Sequence, residues 1–197
     1  MFTRTKRDEG VGDIPKITQE SFLVAVIGTK PMLVRNFYAK QSTPFWNIFY
    51  YMPRVAPLAR PELADGEVLR DLPGFGYPVG AFRHALYAIK KHLPKGAGFK
   101  AKRGIHFFPP DPGCGCVMAP LKLKTLERVV LAVKSGKRTS EVVYGKVSGW
   151  STGLRVKFFP HVFSKKEVLG ILNLMAVHTQ LGGLRPPDFG TYRVMEL

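Results

Sequence analysis

The sequence predicts an α+β fold, and three features carry that prediction. An apolar, β-branched run, SFLVAVI at 21–27, stands first; two stretches show helical periodicity, at 79–93 and beyond Ser164; strand-like segments separate and follow them. Stripped of longer excursions, the order is strand, helix, strand, strand, helix, strand. That is the split βαβ of ferredoxin-like folds, an antiparallel sheet with two helices on one face and the other face free. The RNA-recognition motif is a nucleic-acid module that uses such an open face.

Each element has its own signal. The run at 21–27 is nearly unbroken in apolar character, as in a strand buried on both faces. The segment 28–78 is a long excursion rich in proline and aromatics. A structureless loop of that length is uncommon in a compact domain, so it is expected to hold short elements or to bind something. In 79–93, Val79, Phe82, Leu86, Ile89 and Leu93 recur at steps of three and four and form one apolar stripe. Lys90, Lys91 and His92 suit the negative end of that helix, and Pro94 stops it. A basic loop follows. Strands are then expected at 105–108, 127–133, 140–147 and 154–159, with KSGKR at 134–138 turning a hairpin.

The second helix opens on a capping box, Ser164 with Glu167, and Phe163 with Val168 can staple across it. Val168, Ile171, Leu172 and Met175 form its buried face, Gly182 its C-terminal cap, and 190–195 the closing strand. The organisation expected is a flexible tail at 1–16 and one domain at 17–197 with an aromatic and basic insertion at 28–78.

A chain of 197 residues that is 45% hydrophobic can bury a full core. Thirty Lys and Arg against fourteen Asp and Glu give a net charge of +16 and a pI near 10.1. Such an excess repels itself in a compact fold and points to a polyanionic partner, nucleic acid above all. A membrane surface fits less well, because no basic amphipathic anchor helix is evident. No apolar run approaches the ~18 residues that span a bilayer, and the start MFTRTKRDEGVGD lacks the apolar middle of a signal peptide. A cytoplasmic protein is expected. Cys114 and Cys116, in PDPGCGC, are too close for an easy disulfide or a common zinc knuckle, so a reduced turn and no metal or other cofactor are expected.

Three stretches offer chemistry suited to a single strand. The first, NFYAKQSTPFWNIFYYMPRVAPLAR at 36–60, holds seven aromatics between Phe37 and Tyr51, and no acid occurs from Ser21 to Pro61. Aromatic rings stack on unpaired bases while cations track phosphates. Tyr38, Trp46 and Tyr50 are the rings expected outside, with Arg35, Lys40 and Arg54 as cations; a packed aromatic subcore is the competing reading. The second, KKHLPKGAGFKAKR, gathers Lys90, Lys91, Lys95, Lys100, Lys102 and Arg103 around Gly96 and Gly98. It reads as a hinged backbone clamp with Phe99 as a wedge, or as an ordinary solvated loop. The third, LGGLRPPDFGTYRV at 181–194, places Gly182 and Gly183 where backbone amides can approach a ligand oxygen, with Arg185 in reach of the same anion. A helix cap followed by a stiff turn is the plainer reading.

Catalytic residues are expected to be absent. Asp111, Glu127, Glu141 and Asp188 are scattered, the histidines are isolated, and no nucleophile elbow, P-loop or H-E-x-x-H occurs.

The helix GYPVGAFRHALYAIKK, the basic loop after it and the final LGGLRPPDFGTYRV together resemble a group of small phage-encoded proteins with a closing G-x-x-R-P…FG-x-[YF] pattern. They are also similar to the RAMP superfamily of CRISPR backbone subunits. The resemblance runs from about residue 20 to 195. It implies a ferredoxin-like core, a glycine-rich loop mapping onto Gly182, Gly183, Arg185 and Gly190, and a single strand of RNA or DNA bound along a groove. It further implies side-by-side self-association and, for a viral protein, a place in the host cytoplasm. The leading reading is a non-enzymatic single-strand binder. The alternatives are a metal-independent ribonuclease of the RAMP kind, with His84 as its base, and a structural protein of a ribosome or virion.

Overall fold

The computed structural model describes residues 18–55, 63–111, 117–135, 138–182 and 189–197. The tail at 1–16, the cysteine pair, the tip of the KSGKR turn, Gly183 and Arg185 lie outside these residues.

Strand β1 (Glu20–Gly28) takes the place expected for the first apolar run but is fully buried on one face only, with Leu23, Ala25 and Ile27 half-buried on the other. The long excursion contains β2 (Met32–Val34), a 3-10 turn (Phe45–Ile48), β3 (Val68–Arg70) and β4 (Gly76–Pro78). Helix α1 (Gly80–Ala88) continues as a 3-10 turn (Ile89–His92), burying Phe82, Leu86 and Ile89 as the stripe requires. The basic segment then departs from expectation, because it is not a flexible loop. Residues Ala97–Gly104 form helix α2. Gly96 starts it at φ 84°, a left-handed conformation that favours glycine, and a Cβ on Gly98 would lie 2.6 Å from Lys90 Cγ, so Gly96 serves the helix start and Gly98 the close contact of α2 with the turn after α1. Ala101 and Gly104 are the buried side of α2, and its last turn presents Lys102 and Arg103 to the favourable end of the dipole.

Strands β5 (Ile105–Phe108), β6 (Met118–Lys122), β7 (Thr125–Ser135), β8 (Arg138–Ser148) and β9 (Ser151–Phe158) follow, then α3 (Lys165–His178) and β10 (Tyr192–Glu196). All pairing between these strands is antiparallel and falls into two sheets. The first runs β10-β1-β9, where β5 and β6 share the far edge of β9 and β4 extends β6. The second, β2-β8-β7-β3, is built on the β7–β8 hairpin, which pairs from Thr125↔Ser148 to Ser135↔Arg138. One apolar cluster joins both sheets, from Phe22 and Val156 in the first to Met32, Leu126 and Val147 in the second.

Alternation decides the faces. Phe22, Val24 and Val26 on β1 and Leu154, Val156 and Phe158 on β9 are buried, with Val168 and Leu172 of α3 and Phe82 of α1 in the same cluster. The capping box of α3 is formed as its sequence predicts. The Glu167 N–H donates to Ser164 Oγ at 3.3 Å, and Glu167 Oε2 accepts from the Ser164 N–H at 2.7 Å and from its hydroxyl at 2.8 Å. Those bonds, the backbone one foremost, hold the Glu167 carboxyl below its ordinary range. Ser164→Ala is expected to cost about 1 kcal/mol of stability, read by chemical denaturation. The other end of α3 departs from expectation. Its C-cap is Thr179 in extended conformation, three residues before Gly182; the Thr179 hydroxyl donates to Met175 O at 2.8 Å and lies 2.9 Å from Tyr192 Oη. Burial pushes the Tyr192 phenol up to about 12.

Candidate functional site

A groove of about 820 Å³ opens between the two sheets and α1. Small residues make the room: Gly80, Ala81, Ala85 and Ala88 line it along one side of α1, and His84 shares that side. Tyr77 of β4 and Tyr144 of β8 form its walls, Gln180 to Gly182 its far lip, and Phe37 and Tyr38 its mouth. Burial raises the Tyr144 phenol above its ordinary value, and the Arg35 charge offsets part of that rise.

The mouth is the unusual part. Phe37 is 87% exposed and Tyr38 84%, their rings edge to face with centroids 5.6 Å apart. The loop carrying them is pinned from three sides. The Phe37 N–H donates to Tyr50 Oη at 3.0 Å, and the Tyr38 N–H donates to Asn36 Oδ1 at 3.0 Å. The Arg35 guanidinium donates to Val143 O at 2.7 Å, Ala39 O at 3.2 Å and Lys40 O at 2.6 Å. Two adjacent rings are thus presented to solvent on a fixed loop, each forgoing roughly 1.5–3 kcal/mol that burial would contribute.

Several sequence assignments change here. Trp46 is 4% exposed and packs on Phe45 and Phe49, with ring centroids at 5.2 and 6.4 Å, so it belongs to the core and cannot meet a strand. The aromatic stretch is therefore both things at once: Phe45, Trp46 and Phe49 are subcore, while Phe37 and Tyr38 are surface. Tyr50 is half-buried and borders the groove, and its hydroxyl positions the loop. Arg35 lines the groove but holds backbone carbonyls, which makes it a positioning residue. Lys40 is exposed on the pinned loop, whereas Arg54 is exposed in a turn at 52–55 (φ 68°) and does not border the groove.

The basic stretch forms a second surface on the other side of α1 and does not line the groove. Lys90, Lys91, Lys95, Phe99, Lys100, Lys102 and Arg103 are all exposed, and no acid occurs between Leu72 and Pro110. Two of its rings carry cations. The Lys102 ammonium lies 4.8 Å from the centroid of Tyr87, whose hydroxyl accepts from Arg83 Nε at 2.8 Å, and the Arg103 guanidinium lies 4.2 Å from the centroid of Phe99. Arg83 and Tyr87 join this surface through their i, i+4 spacing on α1, a signal present in the sequence.

Of the glycine-rich loop the structure describes the neck. The Leu181 N–H donates to Gly190 O at 2.9 Å, and the Gly190 N–H donates to Pro31 O at 2.7 Å, so entry and exit are tied together and to the β1–β2 connection. Gly182 borders the groove at φ 120°, where a Cβ would lie 2.6 Å from Leu33 O. The His178 ring stacks on His92 at 3.8 Å, tying the end of α3 to the turn after α1; burial, then His178 and Lys91, hold His92 below its ordinary value.

Among the described residues no three His, Cys, Asp or Glu side chains gather as a metal site would require, and no helix is long and apolar enough to cross a membrane. No family model matches the chain, and no curated protein does. Among solved structures the chain is similar to Csc2 of Thermofilum pendens, with a TM-score of 0.33 and 13% identity over 95% of this chain and 69% of that one.

Proposed function

We propose that the protein binds single-stranded nucleic acid, RNA or DNA, and does not cleave it. The observation that carries this reading is the pair Phe37 and Tyr38, held outward at the mouth of an open groove beside an acid-free basic surface. Unpaired bases have faces for such rings to stack on, whereas paired bases do not. The cations of α1 and α2 hold phosphates, which sets affinity and leaves sequence unread. We read β1, α1, β5, β9, α3 and β10 as a ferredoxin-like core of the RAMP kind, with sheet order β10-β1-β9-β5, and the second sheet as an elaboration of it. β10 and β3 each end a sheet, so pairing between copies along a long strand belongs to the same proposal, as does a cytoplasmic setting, the host's for a phage protein.

The test compares a labelled oligonucleotide with its own hairpin over a range of salt. Tighter binding of the open strand is expected. If Lys95, Lys100, Lys102 and Arg103 each neutralise one phosphate, affinity falls with salt at a log–log slope of about −2.8, from about −0.7 per phosphate. Equal affinity for strand and hairpin would overturn the reading. His84 borders the groove. A product ladder that disappears in His84→Ala would replace this proposal with a metal-independent nuclease.

A further inference from the structure

The helix-free face of the first sheet carries a pattern that the groove does not account for. On β5, Phe107 turns towards α1, its ring 6.2 Å from that of Phe82, so His106 and Phe108 occupy the opposite face. Register places His106 beside Lys157 and Phe108 beside Arg155 of β9 on that same face. The Lys157 ammonium sits 4.9 Å from the centroid of the Phe108 ring, which is 38% exposed. His106 Nε2 lies 3.0 Å from Arg103 O at the end of α2. Arg103 in turn covers Phe99. Rings and basic groups therefore follow one another from α2 across β5 onto β9: Phe99, Arg103, His106, Lys157, Phe108. At its far end Pro110 closes the track, its carbonyl accepting from Arg155 Nη2 at 3.1 Å.

We infer that this track is a second contact zone for the same strand, with an unpaired base on Phe108 and its phosphate on Lys157. The inference rests on the proposed single-strand binding and extends it from the groove and helices onto the open sheet face. Charge argues for this occupant. The track's five residues include three cationic or titratable basic groups and no acid, and the ring–cation pair sets a ring on which a base can stack 4.9 Å from a charge that can meet a phosphate.

Oligonucleotides of increasing length separate the zones. Phe108→Ala is expected to weaken long strands about tenfold and to leave the shortest strands that bind unaffected, because they fill the groove and helix surface alone. Lys157→Gln, which keeps the strand's shape, is expected to flatten the salt slope for long strands by about 0.7. If both variants match the wild type at every length while Tyr38→Ala weakens binding, the sheet-face zone is wrong and the groove reading stands. If Phe108→Ala weakens all lengths equally, the two zones are not separable and the inference fails. If the wild type binds no strand, the proposed function fails and takes this inference with it.

Discussion

Alanine at position 190 is expected to destabilise the fold by about 4 kcal/mol, at the severe end of single substitutions. Two effects add. Gly190 stands at φ 70°, where a side chain costs about 1–2 kcal/mol. Its Cβ would also lie 1.8 Å from Leu181 O, and that carbonyl belongs to a residue whose own N–H is bonded back to Gly190 O. Backbone held in this way cannot swing aside as a lysine tip could. Nor can residue 190 retreat, because its N–H is bonded to Pro31 O. Gly66 supplies the control, since it has a similar φ of 79° with nothing within 4 Å of a Cβ. Gly66→Ala should lose only the conformational part, about 1 kcal/mol. Denaturant midpoints of the two variants measure the difference. If Gly190→Ala is no worse than Gly66→Ala, the closed neck does not exist as described.

How much of this was legible in sequence depends on whether the determinants are local. Ser164 and Glu167 cap α3 through bonds three residues apart, so the sequence announces them, and the same holds for the stripe of α1. Helix α2 was not legible, because Gly96, Gly98 and Gly104 read as loop. It forms because Gly104 lets the Phe163 ring approach, where a Cβ would stand 3.2 Å from it, and Gly98 lets Lys90 do the same. The hairpin strands β7 and β8 were found, but their outer partners β2 and β3 are three residues each, too short to show a period. The burial of the aromatic subcore is decided from far along the chain. A Cβ on Gly145 would lie 2.3 Å from the Phe49 ring, so the subcore seats itself where β8 leaves a gap nearly a hundred residues later. Nothing within 36–51 marks Trp46 for the inside and Phe37 for the outside. The basic surface was legible as charge, while its separation from the groove by α1 was not.

Replacing Phe37 and Tyr38 together by alanine is expected to weaken single-strand binding by at least about thirtyfold, taking about 1–3 kcal/mol for each stacked base. The folded state should scarcely notice. Both rings stand in solvent, and the loop bonds from Phe37 and Tyr38 are donated by their backbone N–H groups, which alanine keeps. Stability should change by no more than about 0.5 kcal/mol. The salt slope should stay where it is, because rings neutralise no phosphate. Trp46→Ala reverses the pattern. It removes a buried ring from contact with Phe45 and Phe49 and should cost about 3–5 kcal/mol of stability, while molecules that remain folded bind with the wild-type slope. Affinity, salt slope and unfolding midpoint measured on the same two proteins therefore separate surface rings from core rings. Wild-type affinity in the Phe37/Tyr38 double variant would mean that the exposed pair does not meet the strand, and single-strand binding at the groove mouth would fall with it.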